Sequence, residues 1–173
     1  LQLQNSQFND AGLEQVAQFT SLGSLTLSGT RISDAGLPYL NRLVNLESLT
    51  LDGTAVTGTG LKEVKALKKV VSINLSKTRI AEANLENLSN FANLNELQLS
   101  GTWITDGGLS RLKGLTNLQQ LGLEGTLVTD AGLMHLAGLS KLQSVNAVRT
   151  KVTRAGEEKM KKARPNLYVV LRD

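Results

Sequence analysis

Cysteine is missing altogether, and histidine occurs once in 173 residues. A structural Cys site for zinc, a disulfide and a Cys nucleophile are thereby excluded. Proline occurs twice, and aromatic residues make up 3% of the chain. No apolar run approaches the ~18 residues of a membrane-spanning helix, so no membrane insertion is expected. The lone histidine, His135, has no carboxylate or serine fixed beside it by the sequence pattern. A catalytic triad or a metal cluster needs converging groups. Neither G-x-x-x-x-G-K-[ST] nor G-x-G-x-x-G occurs, so no phosphate-cradling loop is indicated. These absences point to a chain with no enzymatic activity, no cofactor and no metal of its own.

Charge of one sign is scarce over most of the chain. The formal net charge is +4, yet residues 149–173 carry eight Lys/Arg against three Asp/Glu. The remainder carries 11 Lys/Arg against 12 Asp/Glu, a net of −1. Basicity confined to the end argues against a nucleic-acid groove along the body, and no nucleic-acid partner is expected. The terminal cluster of Lys151, Arg154, Lys159, Lys161, Lys162 and Arg164 reads as a solvated capping face, with contact to an acidic partner as the alternative.

What the chain has in abundance is repetition. Leu22, Leu46, Val70, Leu94, Leu118 and Leu142 each open a copy, 24 residues apart. Counting the opener as position 1, apolar residues return at positions 1, 4, 6, 11, 16, 19 and 22. Residues 1–21 form a truncated first copy, 22–141 five full copies, and 142–173 a last copy with a C-terminal cap, all within one domain. A fixed period of this size means a stacked array. Positions 4 and 6 alternate as on a strand, while 16, 19 and 22 give a helical segment one apolar face. One such turn cannot bury enough surface to stand alone, so its stability must come from its neighbours. Strands sit about 4.8 Å apart and helices about 10 Å. The array must therefore bend with its strands inside, and its crossovers should be right-handed. Seven turns give a parallel sheet roughly 34 Å long.

The motif L-x-x-L-x-L-x-x-T-x-[LIV] resembles the leucine-rich repeat, and the GT-x-V-T-D-A-G-L wording is similar to bacterial and ribonuclease-inhibitor-like members. The resemblance implies an α/β, right-handed leucine-rich-repeat solenoid, a horseshoe with a concave parallel β-sheet and convex short helices. Where the family carries Asn or Cys, position 9 here holds Thr30, Thr54, Thr78, Thr102, Thr126 and Thr150, with Ser6 in the first copy. A hydroxyl donates to one backbone group and accepts from another, so a buried Thr ladder is expected after the strands.

Several further expectations concern structure. Ser33 with Asp34, Thr57, Thr105 with Asp106, and Thr129 with Asp130 stand where helix N-caps belong. Asp34, Asp106 and Asp130 also form a column that suggests a cation ladder, but capping explains them better, because Gly58 and Arg154 break it. Glycine at position 15 calls either for φ > 0 or for close approach of a neighbouring turn. Asn84, of the residue type next most tolerant of φ > 0, stands there in the copy 70–93, which also has Lys77 at position 8, Ala81 at the cap and Glu82 in place of Asp. That copy reads as drift in a tolerant array. Phe8, Phe19 and Phe91 fall on inward positions and are expected in the core. In the final strand the inward pair is either Val169 with Leu171, or Val170.

The candidate site is the concave face, built from positions 3, 5 and 7. Thr26, Ser28, Ser48, Thr50, Asp52, Asn74, Ser76, Glu96, Gln98, Gln120, Glu124 and Asn146 are its partner-binding residues. The surface is polar, small and slightly acidic, without the Tyr, Trp or Arg anchors of strong interfaces. Trp103 and Leu127, both at position 10, form a secondary patch on adjacent loops. The function read from this is a non-catalytic protein-binding scaffold with an unidentified protein partner. Two alternatives stand beside it. One is a structural spacer that self-associates through an open N-terminal edge, since the chain begins in mid-strand; the other is the substrate-recognition arm of a larger enzyme.

Overall fold

The fold is known from a computed structural model that describes residues 1–171; Arg172 and Asp173, the end of the expected cap, lie outside the described residues. Seven short strands form one parallel sheet in chain order. They are β1 (Ser24–Thr26), β2 (Ser48–Thr50), β3 (Ser72–Asn74), β4 (Glu96–Gln98), β5 (Gln120–Gly122), β6 (Ser144–Asn146) and β7 (Tyr168–Val170). Leu25 pairs with Leu49, Leu49 with Ile73 and Ile73 with Leu97, so like positions stack on like positions. The truncated first copy joins through two isolated bridges, Gln2 to Thr26 and Asn9 to Arg31.

Alternation sends position 4 inward on every strand. Leu25, Leu49, Ile73, Leu97, Leu121 and Val145 are all at most 2% exposed. Positions 6, 11, 16 and 19 fill the same continuous core. In β7 the inward pair is Val169 and Leu171, with Val169 6% exposed and Leu171 packed against the core. One core assignment fails. Phe19 is 60% exposed, whereas Phe91 at the same repeat position is 1% exposed. Phe91 lies between two copies; Phe19 lies in the first copy, which has a neighbour on one side only within the described chain. Phe8 is half-buried against the core.

Opposite the sheet run α1 (Asp10–Val16), α2 (Asp106–Ser110), α3 (Asp130–His135) and α4 (Arg154–Ala163), with 3₁₀ segments at Leu37–Arg42, Thr59–Glu63 and Glu82–Asn90. Apolar spacing of three suits the 3₁₀ helix, which has three residues per turn. Capping separates the two kinds. Asn9, Thr105, Thr129 and Thr153 each accept a backbone amide, and an α-helix follows each of them. The 3₁₀ segments at Leu37–Arg42, Thr59–Glu63 and Glu82–Asn90, unlike these helices, receive no cap bond from the side chain of the residue before them, although the Ser33 hydroxyl accepts the Ala35 amide ahead of the first. Two further 3₁₀ segments, Arg111–Gly114 and Leu136–Gly138, continue α2 and α3. Thr57 departs from the expected role: its hydroxyl donates to Asp34 of the preceding copy instead of capping its own segment.

The Thr ladder is present. Each hydroxyl donates to the carbonyl three residues back, from Thr30 to Leu27 at 2.7 Å through to Thr150 to Ala147 at 2.7 Å. Ser6 does the same to Leu3. Thr30, Thr54, Thr78, Thr102 and Thr126 are at most 6% exposed, and no buried side-chain polar atom among the described residues lacks a partner.

Position 8, not position 15, is where the backbone turns left-handed. Gly29, Gly53, Gly101 and Gly125 have φ between 62° and 68°, and Asn5, Lys77 and Arg149 share that conformation at 54–55°. At position 15, close approach is the reason for glycine. A Cβ on Gly60 would overlap the backbone carbonyl of Asp34, and a Cβ on Gly132 would overlap the Asp106 carboxylate. Asn84 is not at positive φ. It fits because Gly58, one copy earlier, has no side chain to meet it.

Candidate functional site

The acidic column at position 13 works between copies. Asp10 accepts from the amide and hydroxyl of Ser33, Asp106 from those of Thr129, and Asp130 from those of Thr153. Asp34 accepts from the amides of Thr57, Gly58 and Gly60 and from the Thr57 hydroxyl. Burial pushes the Asp34 carboxyl up, but the Gly60 amide, the Thr57 hydroxyl and the Thr57 and Gly58 amides outweigh it. The group is held below the usual aspartate range. The column is thus a set of caps reaching across to the next copy. Among the described residues no three His, Cys, Asp or Glu side chains gather as a metal site would require.

The copy 70–93 uses different chemistry. Asn84, Asn87 and Asn90 donate to the carbonyls of Thr57, Gly58 and Leu61 in the preceding copy, whereas Asn93 donates to Lys68 as Asn45 does to Thr20 and Asn117 to Ala92 in regular copies. Spaced by three, Asn84, Asn87 and Asn90 share one side of the Glu82–Asn90 segment. The reading of drift is therefore amended: Asn84 fills the space that Gly58 leaves open, and the amides of Asn84, Asn87 and Asn90 hold the two copies together. Arg164 plays a comparable part at the end of the array. Its guanidinium donates to the carbonyls of Ala137, Leu139, Ser140 and Leu142. It belongs to the cap and not to a basic docking cluster.

The outward residues of the sheet line up in register, Thr26 beside Thr50 beside Asn74 beside Gln98. All twelve candidates are half-buried except Gln120, which is exposed. Many already serve one another. Ser28 donates to Asp52, Ser72 and Gln98 both donate to Glu96, and Glu124 pairs with Arg149. Asn74 and Asn146 accept from the amides of Ser76 and Val148. Gln98 lies over Gly122, where a Cβ would strike its amide oxygen. Thr26, Ser48, Thr50, Ser76 and Gln120 hold no side-chain hydrogen bond within the described residues and are the groups available to a partner.

Trp103 is 77% exposed and Leu127 39%, so the tryptophan does not fold back over its neighbour. His135 is exposed on α3. Sequence reading placed Lys151 in the terminal cluster and noted Lys77 but passed over Arg31, Arg79 and Arg149 and the columns they share. Positions 8 and 10 hold Arg31, Lys77, Arg79, Arg149 and Lys151 and no acid in the full copies, a signal present in the columns themselves. No helix among the described residues is long and apolar enough to cross a membrane.

No protein-family model matches the chain, and no curated protein does. Solved structures do. Internalin C2 from Listeria monocytogenes is 26% identical, with a TM-score of 0.75 over 100% of this chain and 73% of its own. A second Listeria monocytogenes internalin, inlF, is 18% identical, with a TM-score of 0.68 over 100% of this chain and 54% of its own. A leucine-rich-repeat protein of Leptospira interrogans is 18% identical, with a TM-score of 0.57 over 91% of this chain and 50% of its own. The latter two likenesses show the fold alone, and the chain spans only about half of each. In coarse terms this company supports an interaction scaffold. With its period of 24 residues, its in-register parallel sheet and these relatives in structure, the chain is a leucine-rich-repeat protein.

Proposed function

We propose that the chain is a non-catalytic protein-binding scaffold whose partner lies on the concave sheet. The observation that carries this reading is the set of unengaged side chains on an unbroken sheet. Thr26, Ser48, Thr50 and Gln120 stand in register among neighbours already bonded to one another. Fixed neighbours hold the surface in one shape, so a partner meets a preorganised face and loses less conformational entropy on docking. Small polar groups without aromatic or Arg anchors suit a modest affinity spread over several copies.

The test uses two variants of the full chain as baits in lysate of the source cells. The first carries Thr26→Lys, Thr50→Glu and Gln120→Lys, with signs alternated to limit repulsion across adjacent strands. The second carries Lys65→Glu and Lys113→Glu on the opposite side. The reading predicts a partner held by the unaltered chain and the second variant and lost by the first, with a Kd at least tenfold weaker once that partner is purified. A partner retained by the first variant, or no partner for any bait, counts against it.

A further inference from the structure

The rim formed by the loops after the strands is a second surface of different chemistry. Its two columns, positions 8 and 10, contribute five Lys or Arg and no Asp or Glu in the full copies, although residues 1–148 carry a net charge of −1. Trp103, 77% exposed, and Leu127, 39% exposed, sit between the basic residues in adjacent copies. Lys77 lies on one side and Arg149 on the other, and both line a shallow groove that crosses Gly101 and Gly125. The Lys77 stem runs over Gly101, with its Cγ 3.3 Å from where a Cβ would stand. Glu124 on the groove floor pairs with Arg149.

The backbone supplies a second argument. Lys77 and Arg149 both have φ of 55°, in the turn where four other copies use glycine. A long cationic side chain is the less comfortable choice in that conformation, and strain of this kind tends to persist where a side chain is used.

We propose that this rim docks an extended acidic peptide segment that seats one apolar side chain against Trp103 and Leu127. Charge complementarity selects an acidic partner. The aliphatic Leu127 beside a single indole suits an apolar side chain, whereas nucleic-acid bases require successive stacking platforms. From Arg31 to Lys151 is five repeat steps, roughly 24 Å, which about seven extended residues would cover. The site does not rest on the concave-face reading.

The probe is a fluorescein-labelled, capped octapeptide, EEDLFDEE, titrated with the full chain at low salt and followed by anisotropy. Trp103 is the sole tryptophan, so its emission reports on the same event. Saturable binding with a blue shift of that emission is expected. Lys77→Gly with Arg149→Gly should weaken it at least fivefold, and Trp103→Ser at least tenfold. The two glycine changes restore the residue favoured at positive φ, so lost binding cannot be blamed on lost folding. The uncharged peptide QQNLFNQQ should bind at least tenfold more weakly, and the Thr26→Lys, Thr50→Glu, Gln120→Lys variant should bind EEDLFDEE within twofold of the unaltered chain. Absence of saturable binding, basic-residue variants within twofold, or tighter binding of a heparin fragment or DNA oligonucleotide would overturn the proposal.

Discussion

Two kinds of junction hold this array together. At the regular one, a carboxylate of one copy accepts from the amide and hydroxyl of the next, as Asp106 does from Thr129. The carboxylate crowds the following turn so closely that only glycine fits there, as at Gly132. At the other junction, between the copies 46–69 and 70–93, the later copy still donates, but to backbone carbonyls instead of a carboxylate. The donors there are the side-chain amides of Asn84, Asn87 and Asn90. There the acid, the hydroxyl and the glycine are all gone, replaced by Gly58, Ala81 and Asn84. The difference lies in three positions, spread over two copies, that all depart from the regular pattern at this one junction. A carboxylate without its hydroxyl loses a partner, and a side chain at position 15 opposite a carboxylate collides.

The largest effect should come from forcing one junction's residue into the other. Gly60→Ala places a methyl against the Asp34 carbonyl and should cost about 3 kcal/mol in urea unfolding, because backbone must move. Asp34→Ala leaves the Thr57, Gly58 and Gly60 amides without their acceptor and should cost about 2 kcal/mol. Asp34 also gives this junction an acid dependence. Its pKa is lower in the folded chain, so its contribution is full above the usual aspartate range and is lost as pH falls through the folded value. Asp34→Asn should therefore flatten the acid limb of a stability–pH profile, while Asn87→Ala should leave its shape unchanged. Asn87→Ala removes one bond to the Gly58 carbonyl and should cost about 1 kcal/mol. The smallest effect is a gain. Lys77→Gly relieves a left-handed lysine but adds freedom to the unfolded chain, for a net gain of about 0.5 kcal/mol in melts.

The period, the parallel sheet, the Thr ladder and nearly all of the core were legible because each depends on what one copy repeats. What was missed lies between copies. Asp34 and Thr57 looked like local caps because capping is a short-range rule, yet the bond runs 23 residues along the chain. Asn84 looked like a residue chosen for positive φ, and only the approach of Gly58, with a Cβ placed 2.9 Å from that of Asn84, explains it. Phe19 matched the core pattern but has only one neighbouring copy to cover it within the described residues. The outward residues were read correctly as facing outward, but their mutual bonds, such as Ser28 to Asp52, follow from register and rotamer and not from residue type. The basic rim was visible in the columns; its left-handed Lys77 and Arg149 became evident only from the backbone.

The most direct test exchanges one junction for the other. Gly58→Asp, Ala81→Thr and Asn84→Gly are measured singly and together by urea unfolding. If the three positions act as a unit, each single change costs about 1–2 kcal/mol and the triple recovers to within about 0.5 kcal/mol of the unaltered chain. A triple variant whose loss equals the sum of the three singles would contradict that account.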